Sequence, residues 1–332
     1  MVKTMKDYDL YAIGAALVDT EVEVTDNFLN EQAIDKGLMT LVDNLYQKKL
    51  INGLKENGAK FLRKSGGSAC NSVVAAAQLG SKTYFGGKIA NDEDGYLFAS
   101  DLTNSGVSHS FTPIDGEVTG KCLVMVTPDA ERTMNTFLGV SNKFSKNEIN
   151  YQIISRSKWF YVEGYLLTDN NRTDIIQEAV KYAKNEGVNV AISLSDPFVA
   201  EQFSGNLKKI IGDGVDLIFC NKDEAMSFTA SDTIDLAAKK LERYSEKFVI
   251  TDGANGAIVF DGFDLSKVSG VKVCPVDTNG AGDMFAGVFL HAISRGENFF
   301  NAATLANKAA SMVVQCFGPR LDDSDFFLLN GN

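Results

Sequence analysis

The stretch VDTNGAGDMFAGVFL, residues 276–290, sets turn-forming residues directly against an apolar helical pattern. Asn279 and Gly280 break the chain that precedes them, and Gly280, Ala281 and Gly282 leave backbone N–H groups bare where a helix begins. Such groups converge into a concave nest, and a helix N-terminus adds roughly half a positive charge, so an oxyanion or a phosphoryl group in transfer would suit the place. Asp283 falls in the first helical turn, where its carboxylate could take the proton of a hydroxyl held above the nest. The same residues also read as a turn, a tight helix entry and an acidic partner for the helix dipole. At the level of this motif alone, chemistry and architecture both remain open.

Three other stretches carry the same double reading. SGGSACNSVVAAAQLG, residues 65–80, puts Gly66 and Gly67 before a small-residue helix, with Asn71 one turn in; either a ligand approaches there or a helix simply starts with a polar cap. NKDE at 221–224 offers an amide and a carboxylate to a phosphate or a hydrated Mg²⁺, or else a cap with its first-turn acid. TDGANGAIVF at 251–260 is a hairpin turn or a loop laid along a nucleotide. Only two histidines exist, His109 and His291, so a proton acceptor must be sought among the carboxylates. There is no G-x-x-x-x-G-K-[ST] and no G-x-S-x-G, and the first apolar run is followed by AALVD rather than G-x-G-x-x-G. These absences count against a P-loop, a serine hydrolase and a dinucleotide-binding fold.

The elements that must position these motifs are apolar runs: DLYAIG (9–14), KWFYVEG (158–164), VNVAISL (188–194), VDLIFCN (215–221), KFVITDG (247–253) and VKVCPVD (271–277). Continuous runs of this kind predict strands buried on both faces, as in parallel sheets. Between them, residues 171–186 carry helical spacing and stop at Gly187, while 222–229 and 233–244 read similarly. The alternation predicts an α/β fold, a doubly wound and mostly parallel central sheet with helices on both faces. Ligands of such sheets collect beyond the carboxyl ends of the strands, where the chain offers Asp19, Glu163, Ser195, Asp196, Asn221, Glu224, Thr251 and Asp277 to Asp283. Two insertions interrupt the rhythm. Residues 20–66 contain a polar helix-like stretch, and 112–139 read as two strands about a turn at Pro128 and Asp129. They are expected to meet as a small β-rich lid over a large core made of 1–19, 67–111 and 140–332.

Composition limits the partners. Acidic residues outnumber basic ones 43 to 32, for a net charge of −11, and no Lys/Arg block stands out, so neither nucleic acid nor an anionic membrane is expected. The N-terminal stretch lacks the apolar run of a signal peptide, and no run approaches a membrane span. Five scattered cysteines without a C-x-x-C pair suit reduced thiols, so a cytoplasmic location is expected.

Order and spacing together resemble the ribokinase-like (PfkB) family of carbohydrate and nucleoside kinases over nearly the whole chain. The resemblance is carried by GGSACN (66–71), ERTMN (131–135), NKDE (221–224), TDGANG (251–256) and above all DTNGAGD (277–283). GAALVD, TDNFL (25–29), EGYLLT and LSDPF are similar to the adenosine kinase branch. The resemblance implies a ribokinase-like fold that phosphorylates adenosine to AMP with ATP and Mg²⁺, with room for a K⁺ ion. It assigns Asp283 as the base for the 5′-hydroxyl and Gly280, Ala281 and Gly282 as the anion hole. Asp19, Gly67, Ser68 and Asn71 would hold the ribose. Asn221 and Glu224 would serve the triphosphate and its Mg²⁺, the latter through water, and Thr251, Gly253 and Gly256 would line the ATP site. Asn307 would flank the donor adenine, unless it is simply an exposed polar group of its helix. Arg132 would close over the phosphates, and Asp277 matches a position that helps hold a monovalent cation. Phe137 or Phe198 would stack on the base or else belong to the core. One departure is Ala15, where adenosine kinases tend to carry a ribose-binding Asn. It leaves room for another nucleoside, as in an inosine-guanosine kinase, or for a sugar, as in ribokinase or fructokinase. A nucleotide-binding protein without catalysis is the distant alternative. Monomer and homodimer both fit.

Overall fold

The computed structural model describes residues 6–212 and 215–329. Its central sheet runs, from one edge to the other, β14 (Leu265–Ser269), β13 (Gly256–Phe260), β12 (Phe248–Thr251), β11 (Leu217–Asn221), β10 (Asn189–Ser193), β9 (Ser157–Val162), β1 (Tyr8–Ile13), β5 (Thr83–Gly86) and β6 (Val107–His109). All neighbours from β12 to β6 are parallel, and only the β12–β13 and β13–β14 pairs are antiparallel. Each face is covered by its own hydrophobic cluster. One holds the helices Ser68–Gln78, Glu93–Asn104, Ala281–Ser294 and Phe299–Val313, and the other holds Asn170–Asn185, Ser204–Ile211 and Lys222–Thr229. This is the doubly wound architecture that the apolar runs predict, because strands buried on both faces need helices on both sides.

A second, five-stranded sheet is ordered β3 (Met39–Leu41), β8 (Arg132–Phe137), β7 (Gly120–Val126), β2 (Leu17–Glu23) and β4 (Leu62–Gly66). Pro128 and Asp129 lie in the β7–β8 turn, as expected. Strand β2 already begins at Leu17, so Asp19 stands within this sheet and not on a tail of β1. The helix-like stretch after residue 37 divides at Asp43. Its carboxylate accepts the Tyr46 N–H at 2.8 Å and starts the helix Asn44–Glu56, while the residues before it form β3.

Local signals fix most helix ends. The helix Asn170–Asn185 stops where Gly187 takes φ 65°, with the Val188 N–H bonded to the Ala183 carbonyl at 2.9 Å. The run VKVCPVD is a correction: residues 271–277 form no strand, and Val271 and Val276 are 46% and 48% exposed. Pro275 removes a ladder donor, and the edge beside β12 is already filled by the β13–β14 hairpin. Among the described residues no helix is long and apolar enough to cross a membrane.

Candidate active site

The helix Ala281–Ser294 starts on Gly280, whose φ of 73° lies in the left-handed region. A Cβ at that position would stand 2.5 Å from Pro319 Cβ, so glycine is required both by conformation and by space. No side chain caps this helix, which leaves its first-turn N–H groups without a local acceptor. Gly282 is exposed and its missing Cβ would meet nothing within 4 Å. Bare backbone therefore opens onto a cavity of about 1230 Å³, beneath which Asp283 sits. A single small ligand fills less than this, so the cavity has room for more than one.

Asp283 is held on both oxygens. Ser68 Oγ donates to Oδ1 at 2.6 Å and Asn71 Nδ2 to Oδ2 at 2.9 Å. Burial raises its pKa, and the Ser68 and Asn71 hydrogen bonds, with the Arg132 and Arg320 charges, pull it back. The carboxylate is thus oriented beside the uncapped helix end, with its pKa above the ordinary range. Arg132, at the start of β8, donates from one terminal nitrogen to the carbonyl and hydroxyl of Thr278 at 3.1 and 3.3 Å. That contact ties the second sheet to the loop that forms the nest.

The glycine pair at 66–67 has two tasks. A Cβ on Gly66 would fall 2.0 Å from the Asp19 carboxyl, and Gly67 (φ 93°) would meet the Ala15 carbonyl at 2.3 Å. Asp19 is buried against this turn; burial pushes its pKa up to about 7, the Arg320 charge lowers it and Asp283 raises it. Glu163 accepts the N–H groups of Ala15 at 3.2 Å and Ala69 at 2.9 Å, and burial lifts it to about 7 as well. Its position at the end of β9 was visible as one charged residue closing an apolar run, yet the partners it holds were not.

On the other side of the cavity, Asn221 and Glu224 form a capping box. The Asn221 Oδ1 accepts the Glu224 N–H at 2.8 Å, while the Glu224 carboxylate accepts the Asn221 N–H at 3.1 Å and Nδ2 at 2.7 Å. The architectural reading of NKDE therefore holds, and both residues also line the cavity. Burial pushes Glu224 up to about 8. Among the described residues no group of three or more His, Cys, Asp or Glu could cage a metal. A Mg²⁺ that keeps its waters and takes its other ligands from phosphate would need no such cage.

Thr251 and Gly253 lie at the β12–β13 hairpin and line the cavity, so TDGANG is both a turn and a wall. Gly253 faces open space, whereas a Cβ on Gly256 would strike the Val268 carbonyl at 2.0 Å. Gly256 thus serves the close approach of β14. Asn307 is only 8% exposed and donates to the Ser269 carbonyl at 3.2 Å, which overturns its reading as an exposed helix group. Asp277 is fully buried, and its two oxygens accept the N–H groups of Asn279 at 2.8 Å and Gly318 at 3.0 Å. Its side chain is committed to shaping the loop. Phe198 lines the cavity and Phe137 does not. Sequence reasoning missed Thr278, Glu21 and Arg320, each of which acts across a long stretch of chain; Glu21 accepts Asn279 Nδ2 at 2.8 Å from β2.

The sequence profile of the "pfkB family carbohydrate kinase" matches residues 34–325. The adenosine kinase of Saccharomyces cerevisiae is 25% identical over 331 residues, covering 93% of this chain and 96% of that protein. Among solved structures, a probable sugar kinase protein from Rhizobium etli superposes with a TM-score of 0.92 at 29% identity, over 98% of this chain and 99% of the other. The adenosine kinase from Sinorhizobium meliloti superposes with a TM-score of 0.90 at 31% identity, over the same shares.

Proposed function

The chain belongs to the pfkB family of carbohydrate kinases, and from that premise we propose that it transfers the γ-phosphoryl of ATP to the 5′-hydroxyl of a nucleoside, with adenosine as acceptor and AMP, a purine salvage product, as result. The observation that carries this reading is Asp283, oriented by Ser68 and Asn71 at the foot of an uncapped helix N-terminus. The adenosine kinase relatives in yeast and Sinorhizobium meliloti support the nucleoside.

In this reading Asp283 takes the proton of the acceptor hydroxyl late in the transfer, and the N–H groups beyond Gly280 hold the anionic oxygens of the phosphoryl group. Asp19, Gly67, Ser68 and Asn71 hold the sugar. Arg132 adds positive charge from above, and a catalytic Arg of this kind contributes roughly 10³-fold or more. Segments 20–66 and 112–139 act as a lid on the core, since the Arg132–Thr278 contact couples the second sheet to the nest. Thr251, Gly253 and Asn307 take the donor nucleotide, with Asn221 and Glu224 near its phosphates. Mg²⁺, when bound, neutralises the triphosphate charge. A K⁺ ion near Asp277 would draw on backbone carbonyls more than on the carboxylate, which already serves two N–H groups.

A sugar acceptor is the second reading. It is favoured by Ala15, which lines the cavity with no amide to offer a ribose, and by the likeness to the probable sugar kinase of Rhizobium etli. Coupled ADP release with ATP and Mg²⁺ against a panel of nucleosides and sugars separates the two. We expect turnover of adenosine. Fast turnover of ribose or fructose with none of adenosine overturns the nucleoside reading, and tight ATP binding without any turnover would leave only a nucleotide-binding role.

A further inference from the structure

Asn71 has two faces, and the chemistry on each fixes which way its amide points. Its Nδ2 lies 2.9 Å from Asp283 Oδ2, and its Oδ1 lies 3.1 Å from Nε of Arg320. A guanidinium can only donate, so the amide oxygen must face Arg320, and the amide nitrogen is thereby turned onto Asp283. Arg320 is 6% exposed and stands in the chain after the helix Phe299–Val313. One terminal nitrogen donates to Asp101 Oδ2 at 2.9 Å, and the other to Ser65 Oγ at 2.9 Å and to the Ser65 carbonyl. Asp101 in turn accepts the Ser65 N–H at 2.9 Å and its hydroxyl at 2.6 Å. Strand β4, the helices Ser68–Gln78 and Glu93–Asn104, and the chain at 320 therefore meet on one guanidinium. Arg320, Asp101 and Ser65 do not line the cavity, whereas Asn71 and Asp283 do.

We propose that Arg320 is a positioning residue for phosphoryl transfer, acting through Asn71 to keep its amide nitrogen on Asp283. This rests on the reading of Asp283 as the base. With Arg320 in place, Ser68 and Asn71 each occupy one lone pair of the carboxylate and leave the others for the acceptor hydroxyl. Without it, the Asn71 oxygen loses its donor and the side chain its anchor, so the amide nitrogen is free to swing off Asp283 and the carboxylate loses one of its two fixed donors. A displacement of about 1 Å at a reacting group can cost about 10²-fold in rate.

Burial alone would make Arg320 structurally important, so the test must separate that role from an effect through Asn71. A double-mutant cycle does so, using the full chain, ATP, Mg²⁺ and whichever acceptor in the panel the wild type phosphorylates. Arg320→Met is expected to lower kcat at least about tenfold with little change in KM for the acceptor. In an Asn71→Ala background the same substitution is expected to cost about twofold or less. An equal loss in both backgrounds, or unchanged kcat in a folded Arg320→Met variant, overturns the proposal. Should Arg320→Met not fold, Arg320→Lys, which keeps a charge beside Asp101, goes through the same cycle with the same two outcomes. The Asn71 side-chain amide signal in ¹⁵N NMR supplies a readout that needs no turnover. It should shift and exchange faster in Arg320→Lys, and an unchanged signal overturns the proposal even if no acceptor in the panel is phosphorylated.

Discussion

Asp283→Asn is the perturbation that most directly separates a base from a structural acid. The two donors on the carboxylate differ: Ser68 offers a hydroxyl that can also accept, while Asn71 offers an amide nitrogen that only donates. The introduced amide can therefore place its oxygen on Asn71 and its nitrogen on Ser68 Oγ, keeping both contacts. Burial penalises the native carboxylate, as its raised pKa records, so removing the charge should leave Tm unchanged or higher. Turnover should behave in the opposite way. Loss of a positioned proton acceptor costs about 10² to 10⁴ in rate, or about 2.7 to 5.4 kcal/mol of transition-state stabilisation. Coupled ADP release gives kcat, and calorimetric titration with ATP gives donor affinity, expected within about threefold of wild type because the nest is untouched. If kcat stays within about threefold while Tm rises, Asp283 is not the base, and the nest alone would have to account for catalysis.

The nest itself is probed by two neighbouring glycines. Gly280→Ala forces a side chain into φ 73° and against Pro319, so thermal melting should show a marked loss of stability; Gly282→Ala meets nothing within 4 Å and should melt like wild type yet lose kcat, because the methyl projects where the phosphoryl group would sit. Equal Tm for the two variants would contradict this. Glu163→Gln keeps one acceptor for Ala15 or Ala69 and turns an N–H against the other donor, so a loss of about 1–3 kcal/mol is expected in denaturant unfolding. Unchanged stability would mean that those N–H groups find other acceptors. Glu21 is 1% exposed with Oε2 unpartnered, and burial lifts it to about 8. Its folded pKa exceeds the unfolded value of 4.5, so the folded state binds the extra proton and stability falls as pH rises from the unfolded value through about 8. Glu21→Gln should therefore raise Tm only slightly near pH 5, just above the unfolded value, and much more at pH 9, and an equal shift at both would refute the argument.

What was legible in the sequence follows the range over which each signal acts. Helix Asn170–Asn185 and its stop at Gly187 are local matters of spacing and one left-handed residue. The parallel strands were visible because both their faces are apolar. The run at 271–277 misled for the same reason, since Val271 and Val273 are apolar yet line the cleft wall. The motif loops announced themselves through glycine, because bare backbone leaves a mark in composition. The side chains that orient the site did not. Glu163 meets Ala15 across 148 residues and Arg320 meets Asn71 across 249, separations at which no periodicity or cap signal operates. Only the type and setting of these residues hinted at them, as charged groups closing or following apolar stretches.

The two glycine-led helices show how the fold makes one anion site and not two. Most longer helices here begin with a side-chain cap, such as Asp43, Asp92, Asp169, Asn221, Thr233 or Asn298. The helices Ser68–Gln78 and Ala281–Ser294 begin instead on Gly67 and Gly280 with none. They pack closely, a Cβ on Gly287 falling 2.2 Å from the Ser72 carbonyl, and their N-termini meet where Ser68 and Asn71 donate to Asp283. Two open helix ends together would bind an anion with no preference for where it sat. Glu163 resolves this by reaching from β9 to take the Ala69 N–H, which neutralises the first helix end with a buried carboxylate. The second end keeps its free donors, and the first contributes Ser68 and Asn71 to hold Asp283. If Asp283 is the base, as proposed, one helix end would serve the transferring group and the other the base, with the carboxylate at residue 163 dividing the labour between them.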